Sequence, residues 1–357
     1  MKIECHSVLP DNLKTEWKEF HANAAHQHPR QDLRFGPVEV ANGCDILHVI
    51  GREDREIKAI GLFTMRRHPF LPKVHAEAQC LSGPVCDDPD TLVQFVEAAH
   101  SHRAFSRTGR ISVTPYWLNE EAEKLDVNLV QRGWIVSASE LTRSTGLVDI
   151  TPERDEILAR FSKSARREAR RALRQGIVVR EIVDEEEAFE FLDSLNRLRS
   201  ERGLPVIGSS AFETTFRTIH GPGELGRIFG AYGDGTFVGG LMVYRSRFVV
   251  HGRHFTTEPA TLKKISNLRI APIVWLEAMV WARNLGCHSL DVEGYIEPSQ
   301  YDGDKHKIYK YKSELYPTPT LRIAEHYKTA NTLINLGSNP KSILKNQVRK
   351  FLRKVRT

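Results

Sequence analysis

The sequence predicts an α/β protein made of two tandem, similarly built domains with a central cleft. Three observations carry this. The chain has 357 residues, and at about 150 residues per domain it divides into two. Its halves repeat one order of strand, helix and strand: with Gly61-Leu62 and Gly240-Leu241 as equivalents, the later strands at Ile111 and Ser289 follow 50 and 49 residues downstream, the mark of a duplicated unit. Residues 147–152 read as the junction, where Thr151 as N-cap and Pro152 at the first helical position start a helix. The expected domains are residues 1–149 and 150–322, followed by a basic helical tail, 323–357, able to pack back on the first domain.

Taken in order, the first half opens with a helix over 12–25 and a loop holding Pro29 and Pro37. Strands follow over 44–51 and 56–66 across a charged turn, then a loop at Gly83-Pro84, a helix over 91–105 and a strand over 110–114. In the second half, strands over 229–232 and 236–244 flank Gly233-Asp234-Gly235, a hairpin signal. A strand over 247–255, a helix over 268–285 and a strand over 288–292 complete the repeat.

A hydrophobic fraction of 40% with 27% charged residues excludes a disordered or fibrous chain. The longest apolar stretch, 270–282, contains Glu277 and falls short of the roughly 20 residues of a spanning helix, so it reads as buried. The start, Met-Lys-Ile-Glu-Cys-His, lacks the apolar run of a secretory signal, and a cytoplasmic protein is expected. Five cysteines, odd in number and without a Cys-x-x-Cys pair, read as reduced and mostly buried thiols. The histidines form no helical zinc motif, and His26 and His28 share a polar loop, so no bound metal is expected.

Charge is concentrated. Residues 160–174 carry seven cations against Glu168, a balance of +6, and residues 341–357 carry seven cations and no acid. The whole chain is +6, so the remainder is mildly acidic. In the first segment Leu158, Phe161, Ala165, Ala169 and Ala172 recur every three or four residues, packing one stripe and fanning the arginines outward. Arg166 and Arg170 are candidate contacts to a phosphate-bearing substrate, because the guanidinium fork suits phosphate; a solvated helix face has the same pattern. In the second segment Leu344, Val348, Phe351 and Val355 form an apolar line among cations. That pattern fits peripheral contact with the anionic inner face of a membrane, or a helix docked on the protein body.

Several segments together resemble the Fem family of peptidoglycan-bridge aminoacyltransferases, over about residues 15–325. They are Gly83-Pro84-Val85-Cys86-Asp87, the basic helix and strand of 161–180, the Trp, Leu and Ala helix of 275–286, Asp291-Val292-Glu293-Gly294, and Tyr311-Lys312 followed by Leu315-Tyr316. The resemblance implies two tandem GNAT-like acyltransferase domains and a FemX-like N-acyltransferase acting on an amine of a cell-envelope precursor in cell-wall biogenesis. It departs at Thr114-Pro115, where the family has Asp-Pro, and the chain is similar to members without a coiled-coil arm.

The resemblance places the family's lysine at Lys312, a cation to stabilise a developing oxyanion. Lys310 stands two residues earlier; both lysines solvating a sheet edge is the alternative. Asp291 ends a buried strand where open α/β sheets place their ligands, and is a candidate base or amine-orienting carboxylate, or else a structural cap. Tyr311, Tyr116, Arg253 and His251 complete the candidate substrate-binding set, the last two able to hold acceptor phosphate, though His251 also reads as a core histidine. No cofactor is expected to be resident. Residues 256–267 hold no glycine, unlike a pyrophosphate-binding loop at a helix N-terminus, so the implied donor is aminoacyl-tRNA on the basic surface. An acyl-CoA or acyl-carrier-protein donor, acting on a lipid amine or polysaccharide sugar, and a non-catalytic phosphate or nucleic-acid binding module remain open.

Overall fold

In the computed structural model, which describes residues 1–71, 73–137, 143–221, 223–265, 268–300 and 306–338, the chain falls into two units, residues 1–139 with 323 onward, and residues 140–322. The first is built on β1 (Lys2–His6), β2 (Asp45–Glu53), β3 (Glu56–Arg67), β4 (His75–Cys80), β5 (Val85–Cys86), β6 (Thr108–Val113) and β7 (Ile135–Val136). The last described strand in the chain, β15 (His326–Thr329), joins them, giving the order β1-β2-β3-β4-β6-β15-β7 with β5 against β3. Asp54 and Arg55 turn the β2–β3 hairpin with φ of 48° and 74°, the conformation whose twist matches paired strands.

Helices α1 (Asp11–Asn23), α2 (Gly36–Ala41), α3 (Pro89–Ser101) and α4 (Asn119–Gln131) are among those that attend this sheet. The carboxylate of Asp88 accepts the Thr91 N–H at 2.8 Å, capping α3. Phe95, Val96 and Ala99 of that helix are buried in one cluster with Val49, Phe63 and Phe105. α3 ends at Ser101, short of the expected 105, because His102 turns extended and its ring accepts the Ala104 N–H to cap a separate short turn. Strands β4 and β6 run parallel and stay paired from His75↔Thr108 to Cys80↔Val113. On β3, the amide of Gln31 accepts the Leu62 N–H at 2.7 Å and donates to the Leu81 carbonyl at 2.7 Å, so a side chain fills the ladder between β4 and β5.

The second unit repeats the plan with β8 (Ser144–Asp149), β9 (Val178–Glu181), β10 (Gly226–Gly233), β11 (Thr236–Arg245), β12 (Val249–Thr257), β13 (Ser289–Asp291) and β14 (Thr318–Leu321), in the order β14-β8-β13-β12-β11-β10-β9. Its helices are α5 (Arg154–Arg160), α6 (Lys163–Arg174), α7 (Glu185–Glu201), α8 (Ser209–His220), α9 (Pro259–Lys264), α10 (Ala271–Asn284) and α11 (His306–Ser313). Asp234 and Gly235 turn the β10–β11 hairpin with φ of 50° and 75°, the same turn as in the first unit. The stripe Ala165, Ala169 and Ala172 of α6 is buried with Ile273, Trp275 and Leu276 of α10. Each unit thus has a hairpin followed by a parallel pair, β4·β6 in one and β12·β13 in the other.

Two boundaries differ from expectation. The change of unit falls near residue 140 rather than 149, because β8 pairs with β13 and β14 of the second sheet. Thr151 does not cap α5: its N–H and hydroxyl both donate to the Asp149 carboxylate, and the helix starts after Glu153. The segment after 322 begins as β15, a strand paired with β6 and β7, and becomes helical only at α12 (Thr332–Ser338). Residues 341–357 lie outside the described residues. Among the described residues no helix is long and apolar enough to cross a membrane.

Candidate active site

Strand β12 carries a β-bulge. Val243 of β11 faces Gly252 and Met242 faces His254, leaving Arg253 as the extra residue, and a bulge bends its strand. At the same place β12 parts from β13. Their parallel pairing covers only Val249↔Ser289, Val250↔Leu290 and His251↔Asp291, after which residues 252–257 have β11 as their one strand neighbour among the described residues. The indole of Trp275 lies on Gly252, where a Cβ would come within 2.3 Å of its ring.

Ionisable groups collect where the two strands separate. Asp291 and His251 are both fully buried, with His251 Nδ1 3.7 Å from Asp291 Oδ2. Asp291 Oδ1 accepts the Thr145 hydroxyl and the Glu293 N–H, the latter at 2.7 Å. Burial alone would raise the Asp291 carboxyl, yet His251, Arg322 and Thr145 outweigh it and hold the group below the usual carboxylate range. The far ring nitrogen of His251 lies 3.3 Å from the Ser246 hydroxyl. Arg253 reaches Glu293 at 3.6 Å.

Lys312 stands on α11, a helix and not the strand expected; Lys310 is exposed on the same helix. The Lys312 ammonium donates to the carbonyls of Glu293 and Gly294. Those carbonyls face it because Glu293 and Gly294 both adopt positive φ, 48° and 51°, a turn that Asp291 fixes by accepting the Glu293 N–H. Burial pushes the lysine down to about 8, with the Glu293 and Asp291 charges opposing the shift. Tyr311 stacks on Phe255 with ring centroids 5.8 Å apart and is tilted against Trp275 at 6.4 Å. Its phenol is raised above the usual range by burial.

The structure therefore brings Lys312, Asp291, His251, Arg253 and Tyr311 to one end of the β12·β13 pair. The other candidates have other contacts. Arg166 turns back and donates to the carbonyls of Ala159 and Phe161 at 2.7 and 2.6 Å, closing the joint between α5 and α6. Arg170 is exposed on α6, where Lys163, Arg167, Arg170 and Arg174 form one outward face. Glu168, buried on the opposite side, meets Arg167 and Arg171 at 3.5 and 3.6 Å. Tyr116 belongs to the first unit, buried beside the His28 ring at 5.6 Å. Thr145, Glu293 and Arg322 complete the cluster and were missed. Glu293 was visible within Asp-Val-Glu-Gly, but nothing near Thr145 or Arg322 in sequence announces the pairing of β8 with β13.

Comparison with known proteins agrees with this architecture. Residues 159–312 match the family model described as acetyltransferase (GNAT) domain, a span that runs from α5 to Lys312. No curated protein sequence matches the chain. Among solved structures, FemX superposes with a TM-score of 0.77 at 14% identity, over 94% of this chain and 99% of that one. L-PGS from Bacillus licheniformis gives 0.52 at 12% identity, over 92% of this chain and 97% of that one. A tandem GNAT protein from the clavulanic acid biosynthesis pathway gives 0.51 at 13% identity, over 92% and 99%. Residues 159–312 thus carry a GNAT acetyltransferase domain, and the chain as a whole has a FemX-like fold.

Proposed function

We propose that the chain transfers an aminoacyl group to an amine of a cell-envelope precursor, with Lys312 stabilising the oxyanion formed on the donor carbonyl. The observation that carries this reading is the placement of Lys312. An ammonium has three protons; two meet the Glu293 and Gly294 carbonyls, and we assign the third to the oxygen that gains charge in the transition state. Such a donor, held before the reaction begins, is worth most where water is excluded. With its affinity for a proton near 8, the lysine is mostly charged at neutral pH. Asp291, fully buried, is assigned to holding the turn that aims those carbonyls, and Arg253 to the acceptor's phosphate.

Two helix features bear on the donor. α10 begins at Ala271-Pro272, Pro272 has no N–H, and the N–H groups of Ile273 and Val274 both donate to the Ile270 carbonyl, so this helix start offers little to a pyrophosphate. The outward face of α6, about 18 Å long for twelve residues, instead suits the phosphate backbone of an aminoacyl-tRNA. The test is label transfer by purified protein. Radiolabelled aminoacyl-tRNA and acetyl-CoA are supplied in turn with peptidoglycan precursors and amino-lipids as acceptors, and product is read by mass spectrometry. Transfer from aminoacyl-tRNA is the expected result; transfer from acetyl-CoA alone would move the donor to the thioester class.

A further inference from the structure

At the end of the first unit where β4 and β6 begin, large apolar side chains stand out among cations. The β3–β4 loop is shaped by His68, whose N–H donates to the Val74 carbonyl at 3.0 Å while its ring accepts the Phe70 N–H at 3.1 Å. Val74 in turn donates to the Leu71 carbonyl at 3.2 Å. This frame presents Phe70 and Leu71 outward, 73% and 47% exposed. Leu333 of α12, 82% exposed, belongs to the same end, because α12 packs its Asn335 backbone against Gly109 of β6. Single exposed apolar residues are ordinary, but here they share one end of one sheet.

The charge around them is positive. Arg67 takes up Asp45 and Arg110 takes up Glu77. Arg66, Lys73 and Arg107 are exposed beside the tip, with Arg66 only 3.8 Å from the shared Glu77, and Glu39 is the further acid nearby. Beyond Ser338 the sequence continues into residues 341–357, with seven Lys and Arg and no acid. A bulky aromatic and an aliphatic side chain ringed by cations suit the boundary between lipid headgroups and acyl chains. A single strand of nucleic acid would call for several stacking rings rather than one.

We infer that this end of the first unit docks on an anionic lipid bilayer, Phe70 and Leu71 entering the interface while Arg66, Lys73 and Arg107 face lipid phosphates. The test uses the full chain with vesicles of phosphatidylglycerol and phosphatidylcholine, and with phosphatidylcholine alone. Binding to the anionic vesicles is expected, and Phe70→Ser with Leu71→Ser should weaken the partition about tenfold with an unchanged thermal melt. The emission added by Phe70→Trp should be quenched by brominated lipid. Absence of binding to anionic vesicles overturns the inference. So does a double variant that binds like the parent, or a Phe70→Trp emission that brominated lipid leaves unquenched, since either result assigns binding to residues 341–357 alone.

Discussion

The two units lay down the same pair of parallel strands and finish it differently. In the first, β4 pairs with β6 to its last residue, ending at Cys80↔Val113, and the Thr114 N–H carries the ladder on to the Cys80 carbonyl at 3.1 Å. In the second, pairing stops at His251↔Asp291 while β12 runs on for six more residues. Where the closed copy has a thiol and a valine, both fully buried, the open copy has an imidazole and a carboxylate. The two units share the frame, and at this position the ionisable pair stands in the unit whose ladder stays open. Opening a ladder leaves peptide groups without strand partners, and chemistry can be placed against them.

The largest effect should come from the group at that opening. Lys312→Ala should lower turnover by about 10² or more, by analogy with loss of one oxyanion donor. If the charged form is the working one, activity in the parent should fall as pH rises through 8, where the buried ammonium gives up its proton, and Lys312→Arg should lack that limb. A pH–rate profile of all three proteins checks both points.

Asp291→Asn sharpens the comparison from the structural side. The amide can keep part of the contact with Thr145 and Glu293, but it removes the Asp291 charge that His251 and Arg322 face. Loss of about 3 kcal/mol in urea unfolding is expected for breaking a buried charged group from its partners. The Asp291 charge also raises the Lys312 proton affinity, so its removal should move the alkaline limb below 8. A role confined to packing would lower stability and leave that limb in place.

Gly252→Ala asks whether the divergence of β12 matters. The new methyl would meet the buried Trp275 ring, and overpacking of this kind costs roughly 1–3 kcal/mol. Differential scanning calorimetry would measure it, and activity should fall with the displaced strand. The smallest change should follow Arg170→Glu. Arg170 is exposed, so stability should hold within about 0.5 kcal/mol, while the Michaelis constant for aminoacyl-tRNA rises and its salt dependence weakens. Arg166→Glu should differ by costing stability, because that guanidinium ties down the carbonyls of Ala159 and Phe161.

Much of the frame was legible because local signals and global packing agree. Both hairpins were announced by their turns, and the alanine stripe of α6 is buried as its spacing required. Misreadings arose where a long-range partner decides. Leu147 to Asp149 looked like the end of one domain, but a strand's allegiance depends on which edge it joins, and β8 joins β13. Lys312 was expected on a strand or sheet edge, while in the structure it rides on a helix. Arg166 and Arg170 read alike as exposed cations; the sequence has no means to say that one of them folds back on main-chain carbonyls.

Strand β15 has a consequence for how the protein is made. It lies between β6 and β7, so the first sheet waits for residues that leave the ribosome after the entire second unit. Residues 140–322 form an uninterrupted stretch and can reach their native pairing while the nascent amino-terminal part still exposes two unpaired strand edges. Amino-terminal domains usually fold first during synthesis; here the order is reversed for completion of the sheet. A chain released at Arg322 would also lack Lys328, whose ammonium meets Glu97 at 2.9 Å, and its open edges would make it prone to association.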